Sequence, residues 1–239
     1  MQAAARAGAA KSAPARSGKK VCLDVHGRVK PAARGWIHAA FSPAAAAACI
    51  VAICLAPTKG LKAACSVYLA STCLLFINSA CYHIGNWGRR VTDVLRRIDH
   101  ANIFLLIAGT YTPFSFALPF LGRVIEISVM WGTVAVALLV NVFWISAPRW
   151  LYTATYIVIG VAGAAVMPFL WMSPEAGFVV VILAACGGLL YIGGGIVYGA
   201  KKPDPWPKVF GFHEVFHAFT VLGYTLEIAA VFIVICKMR

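Results

Sequence analysis

Charged side chains are scarce in this sequence. Asp, Glu, Lys and Arg make up only 12% of the 239 residues, whereas 61% are hydrophobic and the mean hydropathy is +0.81. Soluble domains carry about 25% charged and about 45–50% apolar residues. The shortage of charge therefore excludes an ordinary soluble domain and indicates a chain that lies in lipid.

Acidic residues are fewer still. The chain has 8 Asp and Glu against 21 Lys and Arg, which gives a formal net charge of +13. A basic balance can indicate nucleic-acid binding, but most of these basic residues lie between apolar runs. That pattern is typical of membrane topology and of contact with anionic headgroups. We therefore expect membrane lipids as partners and no nucleic acid, while nothing in the sequence indicates an oligomeric state.

Two further motifs are missing. None of the eight cysteines belongs to a CxxC motif, and most lie inside apolar runs, so we predict neither a disulfide framework nor a thiolate metal site. Residues 1–34 are basic and contain no apolar run that could serve as the core of a signal peptide. We interpret them as a disordered basic cytoplasmic tail, followed by a transmembrane domain over 35–239.

Long apolar segments fill the rest of the chain, and turn or charge signals separate them. Each is long enough to cross a bilayer as a helix of about 20 residues. Six glycines recur between residues 187 and 199 of the sixth segment, which indicates close helix packing. The fold class is thus predicted as an all-α bundle of seven transmembrane helices, over Trp36–Ala56, Leu61–Ile84, Ile98–Leu118, Gly122–Ile145, Trp150–Met172, Ala176–Gly199 and Phe212–Cys236.

The distribution of Lys and Arg predicts the orientation of this bundle. With the N-terminus inside, sixteen of the 21 basic residues fall on cytoplasmic pieces and five on external ones. Cytoplasmic loops carry the excess of positive charge in membrane proteins. We therefore expect a multi-pass protein of the cell (plasma or inner) membrane, with its N-terminus in the cytoplasm and its C-terminus outside.

A few polar residues lie at the ends of three segments. The second segment ends with His83, the third begins near Asp99, and the seventh begins with His213 and His217. All three places lie at the cytoplasmic end in the predicted topology. Because the topology rests on charge alone, the shared depth of these four residues is independent support for a site.

The spacing of the histidines favours a metal. His213 and His217 are four residues apart, so they lie one above the other on one face of a helix and can share a zinc ion. A catalytic zinc takes three protein ligands and a water, and His83 is the natural third ligand. Asp99 can orient or deprotonate the water, or bind the metal directly. Ser79 lies one turn before His83 and can support the site through its hydroxyl.

Several of these residues have other interpretations. Asp99 could be the N-cap of the third helix, and Ser79 could bond the carbonyl of its own helix. His38 and His100 are interpreted as polar anchors, and the role of Glu227 inside the seventh segment is open. His213 to His217 also matches the HExxH motif, in which Glu214 would be the base of a metalloprotease.

At these residues the chain resembles the hemolysin III family, within the superfamily of progestin and adipoQ receptors. The resemblance covers about residues 34–236, and its most specific part is RRIDHANIFLLIAGTYTPF followed by the late pair of histidines. The other matching stretches are SACYH at 79–83, PRWLY at 148–152, residues 187–198, and the stretch from KPDP at 202 through His217.

The resemblance implies a seven-helix fold with a cytoplasmic N-terminus. It also implies a zinc ion held by His83, His213 and His217, with Asp99 near the zinc-bound water and Ser79 beside it. Adiponectin receptors are relatives, as are, more remotely, alkaline ceramidases, which hydrolyse lipid amides. Hemolysin III proteins take their name from a cytolytic, pore-like activity, and some members are linked to membrane fluidity.

Three functions follow as expectations. The first is a zinc-dependent hydrolase of membrane lipid amides, or a regulator of lipid homeostasis, which binds its lipid within the bundle. The second is a pore-forming, cytolytic protein with structural zinc. The third is an intramembrane metalloprotease that uses Glu214.

The orientation gives a first testable prediction. A reporter that is active only outside the cytoplasm should be active when fused after Arg239 and silent when inserted in the 200–211 loop, because the positive charges hold that loop inside. The opposite pattern would reverse the topology and move the histidines to the outer face.

Overall fold

A computed structural model describes Gly27, residues 30–143 and residues 149–239 of the chain. Every long secondary-structure element in these residues is a helix. Short 3-10 turns at Ser115–Ala117 and Ala164–Val166 follow the third and fifth helices. The helices are α1 Trp36–Leu55, α2 Lys59–Ile84, α3 Arg89–Phe114, α4 Phe120–Phe143, α5 Arg149–Gly163, α6 Met167–Met172, α7 Gly177–Ala200 and α8 Phe212–Lys237.

The predicted all-α membrane bundle is confirmed. Six helical stretches are long and apolar enough to cross a membrane by themselves, and they correspond to every predicted segment except the third. Their outward faces carry many exposed apolar side chains, which in a soluble protein would be a liability but here face lipid. The chain is a multi-pass integral membrane protein.

Helix α3 begins nine residues earlier than predicted. Arg89–Arg97 was expected to be a loop because of its charge, yet it forms the first turns of the helix, where Asp93 and Arg96 pair at 3.3 Å. Good helix formers such as Arg and Leu outweigh charge in deciding the local backbone. Asp99, His100 and Asn102 extend the polar character beyond these turns, so α3 is less apolar than the helices that can span a membrane by themselves.

The fifth predicted segment is broken. α5 ends at Gly163, a 3-10 turn follows, and α6 starts at Met167 with Pro168 in its first turn. Proline lacks the backbone N–H and its ring clashes with the preceding turn, so it starts a helix more readily than it continues one.

Helix α8 lies at the centre of the bundle. Half of its apolar window is buried (50%), compared with 17% for α4. It packs against α1, α3 and α7, and its Tyr224 lies in a buried aromatic cluster with Phe76 and Phe41 at ring distances of 5.2 and 5.7 Å. The helix that carries two of the candidate ligands is therefore held on several sides.

The predicted tail falls mostly on residues outside those described. Its last five residues, 30–34, do make contacts: the N–H groups of Ala32 and Ala33 donate to the carbonyls of Lys208 and Val209. Lys30 donates to the carbonyls of Ile84 and Gly85 at 3.1 and 3.0 Å. This stretch therefore joins the 200–211 loop to the end of α2, beside the candidate site.

Candidate metal centre

Two helix ends bring the three predicted histidine ligands together. His83 lies in the last turn of α2, and His213 and His217 lie in the first two turns of α8. One nitrogen from each ring lies within 4.8 Å of the other two. The Nε2 atoms of His83 and His213 are 3.1 Å apart. The prediction that residues 130 positions apart meet at one point is thus realised in the geometry.

The donor set fits a tetrahedral metal such as zinc. Bonds of about 2.0–2.1 Å from zinc to imidazole nitrogen place two such nitrogens roughly 3.3–3.4 Å apart, close to the distance between His83 and His213. His83 and His217 are buried, and Nδ1 of His217 has no hydrogen-bond partner among the described residues. Buried polar atoms normally have partners, so this cluster has the spacing and the free nitrogen that a bound cation requires.

Asp99 and Ser79 complete the layer. Asp99 Oδ2 is 3.7 Å from His83 Nε2, the same nitrogen that faces His213. The carboxyl of Asp99 hydrogen-bonds with the hydroxyl of Ser79, one turn before His83 on α2. The interpretation of Asp99 as an N-cap is wrong, because α3 starts ten residues before it at Arg89. Its carboxyl is free of that role and faces the histidines.

Glu214 has a different role from the one that HExxH implies. Its Oε2 accepts a hydrogen bond from the backbone N–H of Gly211 at 2.7 Å, which caps the start of α8. Its Oε1 accepts from the Arg34 guanidinium, and the side chain is completely buried. Both oxygens are occupied away from the histidines, so Glu214 fixes the helix that carries them and is poorly placed to act as their base.

His38 is the site residue that we did not predict. Its ring stacks on that of His217, with centroids 3.8 Å apart and planes 13° from parallel, and the residue is only 2% exposed. The signal was present in the sequence, because His38 lies near the start of the first segment and therefore at the same predicted depth as the other three histidines. His100, by contrast, bonds the Arg96 carbonyl at 2.6 Å and the Tyr198 hydroxyl at 3.2 Å, as an anchoring role requires.

The histidine cluster opens into a cavity of about 1260 Å³. Asp99, Ser79 and all three candidate ligands belong to its lining, which is otherwise mainly apolar, with many side chains from α3, α5 and α7. Ligand pockets usually measure about 300–1,000 Å³ and are mainly apolar with a few convergent polar groups. The cavity therefore has the size and lining for a lipid-like molecule with one end at the histidines.

The amino-acid sequence of this chain is similar to those of known proteins. The sequence model of the family described as Haemolysin-III related matches residues 26–228. The chain belongs to this family. Three relatives are similar to this chain in sequence.

The Hemolysin-3 homolog of Bacillus subtilis (strain 168) is 30% identical over 161 residues, which cover 66% of this chain and 70% of that protein. Hemolysin-3 of Bacillus cereus is 29% identical over 170 residues, or 70% of this chain and 72% of that protein. Heptahelical transmembrane protein 4 of Arabidopsis thaliana is 30% identical over 178 residues, which span 64% of this chain but only 43% of the plant protein.

The pairing of Arg34 with Glu214 gives a prediction for this haemolysin-III protein. Arg34→Ala leaves a buried carboxylate without its partner, which typically costs about 3–5 kcal/mol. Unfolding of the purified protein in detergent should therefore occur at a markedly lower temperature or denaturant concentration.

Arg96→Ala is the matched control, because it removes an Arg from an exposed pair worth at most about 1 kcal/mol. Equal losses of stability in the two variants would contradict the role given to Arg34.

Proposed function

We propose that this protein is a zinc-dependent hydrolase that cleaves an amide bond of a membrane lipid and thereby regulates lipid composition. The observation that carries the proposal is the opening of the three-histidine cluster into a large, mainly apolar cavity within the bundle. A metal that only tied helices together would need no such space beside it.

The ligands support zinc in particular. Imidazole suits zinc and other transition metals, while the hard cations Mg²⁺ and Ca²⁺ prefer oxygen ligands. Three histidines leave a fourth position for water, as in catalytic zinc sites. Zinc bound there would act as a Lewis acid and make water a stronger nucleophile near neutral pH.

The protein's own residues would handle the proton. Asp99 faces the histidine nitrogens from α3, across the cavity mouth from α8. Its carboxylate would accept a proton from the attacking water and pass it to the leaving amine. Ser79 would hold the carboxyl in place through its hydrogen bond. The three imidazoles would bind zinc in their neutral form, as metal ligation requires.

The cavity and the family resemblance together indicate the class of substrate. Apolar side chains such as Leu106, Ile107 and Met167 line the interior and suit an acyl chain. An amide is proposed because the sequence resembles a superfamily to which the lipid-amide-hydrolysing alkaline ceramidases are related. A lipid in the surrounding bilayer could enter laterally, between helices whose outer faces are apolar.

A pore-forming function is the second candidate, favoured by the name Hemolysin-3 of the Bacillus cereus relative. In that case zinc would be structural and no hydrolysis would occur. The protease hypothesis is weakened because both oxygens of Glu214 are already bonded to Arg34 and Gly211.

Zinc content is the first prediction of this proposal. Protein purified without chelators should carry about one zinc per chain, measured by elemental analysis. His83→Ala, His213→Ala and His217→Ala should each lose most of it, because two imidazoles hold zinc weakly.

His100→Ala should keep its zinc, since that ring lies at the same end of the bundle but bonds α3 and α7 instead. Full zinc in all three ligand variants would refute the site.

Asp99→Asn tests the proposed chemistry. Zinc should stay bound because the three histidines remain, while hydrolysis of a lipid amide should fall by about 10²–10⁴-fold, the usual contribution of a positioned acid–base group. The measurement is product formation by mass spectrometry, normalised to zinc content.

Glu214→Gln is the control: it loses the ion pair with Arg34 and therefore some stability, but the folded protein should keep an activity per zinc near that of the unmodified protein, because Glu214 is not the base. A larger loss of activity in Glu214→Gln than in Asp99→Asn would favour the protease hypothesis. Lysis of vesicles without hydrolysis in any variant would favour the pore.

A further inference from the structure

An acidic side chain lies deep in the bundle, away from the histidines. Glu227 on α8 is 6% exposed, and its Oε2 has no hydrogen-bond partner among the described residues. It lines the same cavity as the histidine cluster. Ten residues separate it from His217, which corresponds to about 15 Å along the helix. An acid at this depth is costly unless it has a partner, and such residues commonly mark functional sites.

Two glycines make room for this carboxyl and for a neighbouring phenol. A Cβ atom on Gly187 of α7 would lie 2.8 Å from Oε1 of Glu227, and one on Gly223 of α8 would lie 2.8 Å from the ring of Tyr191. Each helix thus has a notch that receives a polar side chain of the other helix. The close packing expected from the glycines of the sixth segment serves here to hold Glu227 and Tyr191 beside each other.

The hydroxyl of Tyr191 is also unpaired among the described residues, and this residue lines the cavity as well. The other hydroxyls of the lining at this level already have partners. Tyr111 donates to the Gly160 carbonyl at 3.1 Å, and Thr110 and Thr220 donate to carbonyls of their own helices. Among the described residues that line the cavity at this depth, Glu227 and Tyr191 are therefore the polar groups that remain available to a ligand, since the unpaired Tyr68 hydroxyl lies outside the lining.

The chemistry of Glu227 and Tyr191 limits the class of group that they can bind. A phenol and a carboxyl offer both donors and acceptors, and a hydroxyl can complement both because it donates and accepts. A carboxylate supplies acceptors alone, and an ammonium supplies donors alone. Since the lining between this pair and the histidines is mainly apolar and its hydroxyls are already bonded, the ligand hydroxyl has to be carried on an otherwise apolar chain.

We propose that Glu227 and Tyr191 form a second polar site at the deep end of the cavity, which binds a hydroxyl group on the chain of the lipid substrate. The inference rests on the proposed function for the presence of a lipid in the cavity, but it does not depend on hydrolysis. It makes the protein selective for lipids with one polar group at the histidines and a hydroxyl about 15 Å further along.

Binding of defined chains tests the proposal. Octadecanoic acid and octadecanoic acids with one hydroxyl at successive chain positions are titrated into detergent-purified, zinc-loaded protein, and Kd values are measured by calorimetry. A hydroxyl near the position that reaches Glu227 should strengthen binding by about tenfold relative to the unsubstituted chain, as one or two new hydrogen bonds would. Hydroxyls at nearer positions should weaken it.

Glu227→Leu should remove this preference while still binding octadecanoic acid, which also shows that the variant is folded. Tyr191→Phe should reduce the preference. Tyr111→Phe should retain it, because that hydroxyl lines the same cavity but is already bonded to Gly160.

Two results would overturn the inference. One is a wild-type protein that binds octadecanoic acid but gains nothing from a hydroxyl at any position, which would assign the pair to buried water alone. The other is a position preference that survives in Glu227→Leu. Failure of the proposed function is distinguishable from failure of this inference. A protein without hydrolase activity would still prefer the hydroxylated chain if the second site is real.

Discussion

The place where α8 begins determines the geometry of the histidines. The carboxyl of Glu214 caps the Gly211 N–H and pairs with Arg34, and Asp204 accepts from the Phe212 N–H at 2.9 Å. These contacts satisfy donors that the first turn of a helix leaves free. Because His213 and His217 follow at once, fixing this turn fixes both rings. The ion pair also ties the stretch before α1 to α8, so one buried carboxyl connects the site to two parts of the chain.

The membrane imposes the second constraint. Helices in lipid must satisfy their backbone groups internally, and polar side chains within them need partners or a function. The two acidic side chains that line the cavity accordingly lie in two places: Asp99 in the histidine layer at the predicted cytoplasmic end, and Glu227 beside Tyr191 further in. The lining between the two places is mainly apolar, so the cavity suits a long molecule better than a compact one.

Much of this arrangement could be predicted from sequence because it depends on periodicity and charge. Apolar length gives the segments, the distribution of Lys and Arg gives their direction, and direction brings His83, Asp99 and the pair on α8 to one layer. The start of α3 at Arg89 does not follow from the charge pattern, because a run of charged residues between apolar segments is typical of a loop as well as of an exposed first turn. The stacking of His38 on His217 and the occupied oxygens of Glu214 depend on side-chain packing between distant segments, which periodicity does not encode.

The central claim is that His83, His213 and His217 hold one metal ion from two helix ends. X-ray absorption spectroscopy of the zinc-loaded protein in detergent measures the ligands directly. Three imidazole nitrogens and one oxygen donor are expected at about 2.0–2.1 Å, with one imidazole lost in each histidine variant that retains any zinc. Sulfur ligands at about 2.3 Å, or a spectrum unchanged by the loss of these histidines, would contradict it.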